Sequence, residues 1–256
     1  MLTKFDHEAS QYDDNFTNSK IGRTQRNRIW SYLDKFLSDK NTIDILELNC
    51  GTGEDAIYLA SKGHKVLATD SSQKMLDVGQ AKSKNLNLSS LLSFSELDLK
   101  EPNLGKNDFD FVFSNFGGLN CISRHKLKSL AIFLNDHTKP FSECIFVIMP
   151  RQTLMEKLFR IINGSSSIYS SKSNNLPLNI NVSGQAVETY FYNPEEFLKY
   201  FPGFILKKKL SVGYLPSYMN RSKFLHFLLL IEKLLFLVRL SPKRSDHYIL
   251  HLKKES

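Results

Sequence analysis

The stretch Leu46-Glu47-Leu48-Asn49-Cys50-Gly51-Thr52-Gly53 decides how the chain is read. It completes an apolar run that starts at Ile43 and delivers that run into a glycine-bearing loop. A short apolar run of this kind is a strand. The glycines let the backbone turn sharply and approach a ligand closely, at the start of the next helix. Ala56 to Lys62 reads as that helix, and Lys65-Val66-Leu67-Ala68-Thr69-Asp70 as a second strand closed by an acid. An acid there is placed to accept hydrogen bonds from both hydroxyls of a ribose. An adenosine-containing ligand is therefore expected at the carboxyl ends of the strands.

The same alternation continues outward. Gln73 to Lys84 is helical, with Met75, Leu76 and Val78 on one side. Leu91 to Leu97, Phe109 to Ser114 and Cys144 to Met149 are the third, fourth and fifth strands. Strands alternating with helical patterns predict an α/β fold. The expected architecture is a doubly wound, Rossmann-like sheet, mostly parallel, with right-handed crossovers. After Pro150 the rhythm changes. Asn163 to Asn181 is rich in Ser and Asn and reads as a long loop. Val182 to Tyr192 has strand character, Pro194 to Phe201 is a short helix and Phe204 to Val212 a strand. Ser222 to Leu240 is a helix and His247 to Leu252 a last strand. Ahead of the sheet, Ile29, Trp30, Leu33, Phe36 and Leu37 recur at helical spacing.

Composition narrows the class. A chain of 256 residues, 41% hydrophobic and 23% charged, can bury one sizeable core, which excludes wholesale disorder, collagen-like repeats and coiled-coil rods. The net charge of +8 is unevenly spread. Residues 1–150 carry 18 Lys/Arg and 19 Asp/Glu, whereas residues 151–256 carry 16 and 7. A one-sided field suits an anionic substrate, a membrane surface or a nucleic acid; a solvated lysine-rich face is the plainer reading. Cys50, Cys121 and Cys144 are far apart, which fits a reducing cytosol better than a disulfide framework or a zinc site. Met1 to Asp14 holds four acids and no apolar run, so it does not read as a signal peptide, and a cytoplasmic location is expected. Phe224 to Leu240 is the most apolar stretch, but His226, Glu232, Lys233 and Arg239 interrupt it, and it is too short and charged to span a bilayer. It is read as a core or cap helix, a cavity wall or a membrane-facing segment.

Two ligands compete for the glycine loop. Gly51-x-Gly53-x-x-Ala56 satisfies the loose dinucleotide pattern. Glu47, however, lies inside the strand just before the loop, where a pyrophosphate would be poorly served. A ligand bearing an ammonium and a sulfonium tolerates that carboxylate, which favours S-adenosylmethionine over a nicotinamide cofactor.

At these residues the chain resembles motif I of the class I S-adenosylmethionine-dependent methyltransferases. Asp70-Ser71-Ser72-Gln73-Lys74-Met75-Leu76 resembles the family's run after the second strand, Asp98-Leu99 the pair after the third, and Phe109 to Asn115 the fourth-strand motif beside the methyl group. The resemblance covers residues 43–150 well and the whole chain loosely. It implies a seven-stranded sheet with an antiparallel last strand. The implied organisation is an N-terminal helical lid (1–40), an S-adenosylmethionine-binding core (41–150), and acceptor-side insertions with the final strands (151–256). It further implies that Glu47, Asn49, Gly51 and Gly53 shape the pocket for the methionine part and that Asp70 holds the ribose. Asp98 and Leu99 would hold adenine, with Ser71 and Met75 at its edge. Tyr12, in a Tyr-Asp segment like the family's lid, would touch the methionine portion, and Arg23 an acidic group. Where the family carries glycine this chain has Asn49, a residue that tolerates positive φ.

Methyl transfer from an activated donor needs positioning above all, and a general base only where the acceptor must lose a proton. Asn115 and Asn120, flanking Gly117-Gly118, are candidates to orient an acceptor, and His125 is the best-placed candidate base. No His-x-x-x-His or similar spacing implies a metal. The leading expectation is methylation of a small, apolar or lipid-like molecule, with an anionic group also compatible, and peripheral membrane contact through 224–240. The alternatives are an RNA or protein methyltransferase using the basic C-terminal half, with nucleic acid ranked lower because no basic run interleaves with aromatics, and a non-catalytic or membrane-associated accessory protein.

Overall fold

The computed structural model describes residues 5–105, 107–163, 176–182, 185–237 and 241–256. Within them, seven strands form one sheet: β1 (Asp44–Leu48), β2 (Lys65–Asp70), β3 (Leu92–Glu96), β4 (Phe109–Ser114), β5 (Thr138–Ile148), β8 (Phe204–Gly213) and β9 (His247–Lys254). Their order is β3-β2-β1-β4-β5-β9-β8. All neighbouring pairs from β3 to β5 are parallel, and β9 is antiparallel to both β5 and β8. The expected Rossmann-like sheet with an antiparallel last strand is therefore present, and β8 forms one outer edge.

The helices cover both faces. On one side lie α1 (Lys20–Leu37), α2 (Glu54–Ser61) and α3 (Gln73–Asn85); on the other, α4 (Arg124–His137) and the short α6 (Pro194–Leu198). Strand side chains alternate between the two layers. In β1, Ile45 packs with Ile29, Leu33 and Leu59, whereas Leu46 and Leu48 pack with Leu127, Leu130 and Leu134. A strand buried on both faces must be apolar throughout, which is why the runs were so legible. Serine caps set where helices begin: Ser19, Ser72 and Ser123 accept hydrogen bonds from the amides of Gly22, Met75 and Lys126.

Three features depart from expectation. Helix α4 and helix α5 (Leu154–Asn163) were not anticipated. Their signals are present: Leu127, Leu130, Ala131 and Leu134 have helical spacing, and Thr153 and Glu156 form a reciprocal capping box (2.9 and 3.1 Å). Strand β5 starts at Thr138, six residues early, because a polar stretch containing Pro140 pairs irregularly before the apolar run. The strand expected over Val182 to Tyr192 is instead a separate hairpin, β6 (Leu178–Val182) with β7 (Gln185–Thr189). Its first arm hides an apolar–polar alternation inside an Asn-rich composition. Most of the loop expected at Asn163 to Asn181, and Val238, Arg239 and Leu240 of the apolar helix, lie outside the described residues. That helix is α7 (Leu225–Leu237).

Candidate active site

The loops after β1, β2 and β4 meet at the carboxyl ends of their strands. Cys50 donates its amide to Thr69 O (2.8 Å), tying the glycine loop to β2. Asp70 completes the tie: Oδ2 accepts the Gly51 amide and Oδ1 the Ser72 amide, each at 2.9 Å. Burial pushes the Asp70 carboxyl above its ordinary range, while these amides pull against that rise. Gly51 and Gly53 hold φ of 54° and 74°, which only glycine adopts without strain, and Gly53 starts α2. Asn49 adopts φ of 49°, as expected of the residue standing where the family has glycine. Its side chain does further work, accepting Ser114 Oγ–H (2.6 Å) and donating to Asn115 O (2.9 Å), so it clamps the β1 loop to the end of β4.

Glu47 is 1% exposed, and its buried carboxylate oxygen Oε2 has no hydrogen-bond partner among the described residues. Burial, aided by nearby Asp55, drives its pKa well above the usual carboxylate range. An unpartnered buried carboxyl is costly and marks a place built for a ligand. A second buried polar atom without a partner is Nε of Arg26, on the inward face of α1. Arg26 donates to Asp55 (2.7 Å), which also accepts Trp30 Nε1–H (2.6 Å) and Asn115 Nδ2–H (2.8 Å). Arg26, Asp55, Asn49, Gly51, Tyr12 and Phe116 line a small cavity of about 20 Å³. Phe116 is held at φ of 46°, its ring edge-on to Phe16 and 5.0 Å from the Arg26 guanidinium. Backbone strain of this kind gathers at functional sites.

Residues 5–19 dock on this rim. Asp6 accepts Ser72 Oγ–H (2.6 Å), and Asp13 accepts Thr52 Oγ1–H (2.7 Å) and Lys82 Nζ–H (3.0 Å). Burial would raise the Asp13 pKa, but these donors hold it below the ordinary range. Tyr12 sits over Gly51, and burial pushes its phenol up to about 12.

The remaining expected site residues fall in different places. Ser71 is half-buried and Met75 is buried beneath the Ser72 cap. Asp98 is exposed at the end of β3 and accepts the Lys100 amide (2.9 Å), while Leu99 packs in the core. Asn120, expected to orient an acceptor, is engaged with the main chain. It is fully buried, donates to Met149 O (3.1 Å) and Tyr190 O (2.6 Å), and accepts the Met149 amide (2.9 Å). Asn115 is likewise committed, to Asp55 and to the Phe116 amide (2.8 Å). His125 is exposed on the first turn of α4, and Arg23 turns away to Asn18 (2.8 Å). The residues missed are Arg26, Asp55 and Phe116. One signal was available: Arg26 stands three residues before Ile29 on the apolar stripe of α1, where a cation needs a buried partner.

These features are shared with the class I S-adenosylmethionine-dependent methyltransferases that the sequence resembles. Residues 45–140 match the model of a methyltransferase domain. YqeM of Bacillus subtilis (strain 168), described as a methyltransferase, is 29% identical over 147 residues, 57% of this chain. The chain spans about half of that relative, 52% of its length. A Mesorhizobium loti S-adenosylmethionine-dependent methyltransferase superposes with a TM-score of 0.62 at 16% identity, over 89% of this chain and 98% of that one. The corresponding enzyme of Clostridium acetobutylicum gives 0.60 at 17%, over 90% and 92%. The DhpI–SAH complex gives 0.61 at 15%, over 98% and 93%. At these identities the structural likeness establishes the fold.

The family's cofactor fits the residues present. A free α-amino acid end carries an ammonium and a carboxylate, which match the unpartnered Glu47 carboxyl and the unpartnered Nε of Arg26. The Asp70 carboxylate at the end of β2 suits ribose hydroxyls.

Proposed function

We propose that the protein transfers the methyl group of S-adenosylmethionine to a small acceptor that is apolar in part and bears an anionic group. The observation that carries the first half is the pairing of a buried, unpartnered Glu47 with the Asp70–Gly51 tie. Bound there, S-adenosylmethionine supplies an activated methyl group on a sulfonium. Glu47 and Arg26 orient the amino acid end, Asp70 fixes the ribose, and the Asn49 clamp keeps the β4 loop in register beside them.

The acceptor half rests on a cleft of about 700 Å³ that opens after β5 and ahead of β9, lined by Arg151, Lys157, Asn193, Glu196, Lys243 and Arg244. Glu196 is already matched by Arg151 and by Arg124 (3.2 Å), so the lining stays cationic. An anionic group on the acceptor meets that field. The apolar part follows from the sequence reading of a lipid-like acceptor.

Two measurements test this. Calorimetric titration with S-adenosylhomocysteine gives binding that weakens by about tenfold or more in Asp70→Ala, with NADH as the control that does not bind. NADH binding in its place overturns the cofactor reading. In a cell extract supplied with methyl-labelled S-adenosylmethionine, the label enters a small, solvent-extractable compound retained on an anion exchanger. Label confined to RNA or protein overturns the acceptor reading.

A further inference from the structure

Helix α7 turns its only acid inward. Glu232 is fully buried, accepts the amides of Tyr214 (2.7 Å) and Leu215 (3.2 Å), and faces Arg28 across 3.3 Å. Leu225 packs with Ile21, Leu215 and Met219, with Leu228 and Leu229 against the same cluster. Arg28 also lies over the Phe236 ring at 3.8 Å. One side of the helix is thus fully engaged.

The opposite side is apolar and bare. Phe227, Leu230 and Leu234 are 61%, 55% and 56% exposed, and Phe224, just ahead of the helix, is 72% exposed. Spacings of three and four residues put these on one face, and Glu232, two residues from Leu230, points about 200° away. Single exposed leucines are unremarkable, but a row of four large apolar side chains, three on one helix and one at its start, is an interaction surface. Its borders are cationic: Lys223 and Lys233 are exposed, and exposed Lys20 sits 3.2 Å from exposed His226. Among the described residues of residues 223–236, Glu232 is the one carboxylate, and it is withdrawn from this face.

We infer that α7 lies flat on an anionic membrane surface, with Phe224, Phe227, Leu230 and Leu234 entering the headgroup–acyl boundary and Lys20, Lys223 and Lys233 facing acidic headgroups. Charge selects this occupant. A second copy of the chain would bring cations against cations on a face without an acid, whereas an anionic bilayer answers every charge on it. Thirteen helical residues extend about 20 Å, too short to cross the hydrocarbon core, which leaves an in-plane position. No helix among the described residues is long and apolar enough to cross a membrane. This inference is independent of the methyl-transfer reading, because none of these side chains lines the cofactor rim.

The test is sedimentation of the full chain with phosphatidylcholine vesicles, with and without phosphatidylglycerol. The protein pellets with the anionic vesicles, and 0.5 M salt releases part of it. The exposed charge variant Lys223→Glu/Lys233→Glu, which touches no core, lowers the partition by about tenfold. Phe227→Ser/Leu230→Ser/Leu234→Ser lowers it by at least as much while the melting temperature is retained. Equal partition onto both vesicle types overturns the charge argument. Absence of binding overturns the inference, as does a dimer in light scattering that the serine variant dissolves.

Discussion

Removing the charge of Asp55 should cost more stability than any other isosteric change at the site. Asp55 is 4% exposed in the first turn of α2 and carries three hydrogen bonds, from Arg26, Trp30 and Asn115. Arg26 is itself 5% exposed, and Asp55 raises its pKa despite the opposing effect of burial. Asp55→Asn keeps the shape but strands a buried guanidinium. Breaking one side of a buried ion pair costs about 3–5 kcal/mol. For a domain of this size each kcal/mol lowers the melting temperature by about 2–4 °C, so the expected fall is roughly 6–20 °C. Urea unfolding of four proteins closes the cycle: the unaltered chain, Asp55→Asn, Arg26→Met and the double variant. With Arg26 already Met, no buried cation is left to strand. Asp55→Asn should then cost about 1 kcal/mol, leaving a coupling of about 2–4 kcal/mol. A loss below about 1 kcal/mol for Asp55→Asn alone, or a coupling below about 0.5 kcal/mol, would refute the reasoning.

Two further outcomes follow from neighbouring residues. Glu47 has a folded pKa raised well above its unfolded value, so its contribution is fully present below the unfolded pKa and is lost as pH rises through the folded one. Glu47→Gln, which cannot ionise, should therefore melt higher than the unaltered chain at neutral pH and equal to it in acid, yet bind S-adenosylhomocysteine more weakly; identical melting curves at all pH values would remove the argument. In Gly118→Ala the new Cβ would lie 2.1 Å from Cγ of Asn49, whose amide is pinned to Ser114 and Asn115. The expected cost is about 1–3 kcal/mol, with recovery in Gly118→Ala/Asn49→Gly; thermal melts that show no recovery would place the clash elsewhere.

How much was legible follows from the range of the interactions. The strands Lys65–Asp70 and Phe109–Ser114 coincide with their apolar runs, because burial on both faces writes the boundary into composition. The start of β5 at Thr138 was hidden, since Pro140 and Phe141, at φ of 62°, belong to an irregular, partly exposed segment without an apolar signature. At the site, Gly51 and Asp70 were legible because strand, loop and strand are consecutive. Arg26 and Asp55 were not, because their meeting depends on how α1 lies across α2, 29 residues later in the chain. Asn115 and Asn120 read as amides for a substrate; Asn115 meets the Asp55 carboxylate 60 residues away and Asn120 bridges main-chain atoms of Met149 and Tyr190, and neither partner can be known before those segments are placed.

The basic C-terminal half has a consequence at the rim of the sheet. Lys207, Lys208 and Lys209 stand on β8, the outermost strand, directly after Phe204-Ile205-Leu206, of which Ile205 and Leu206 are exposed. Lys207 and Lys209 are already answered by Glu143 and Glu195. An apolar edge with open backbone groups is a template on which another unfolded chain can add a strand, and a lysine run beside it repels that addition. Part of the positive charge is thus protection against aggregation. It leaves Lys157 and Arg244 in the cleft, and Lys223 and Lys233 beside α7, as cations without a carboxylate partner among the described residues.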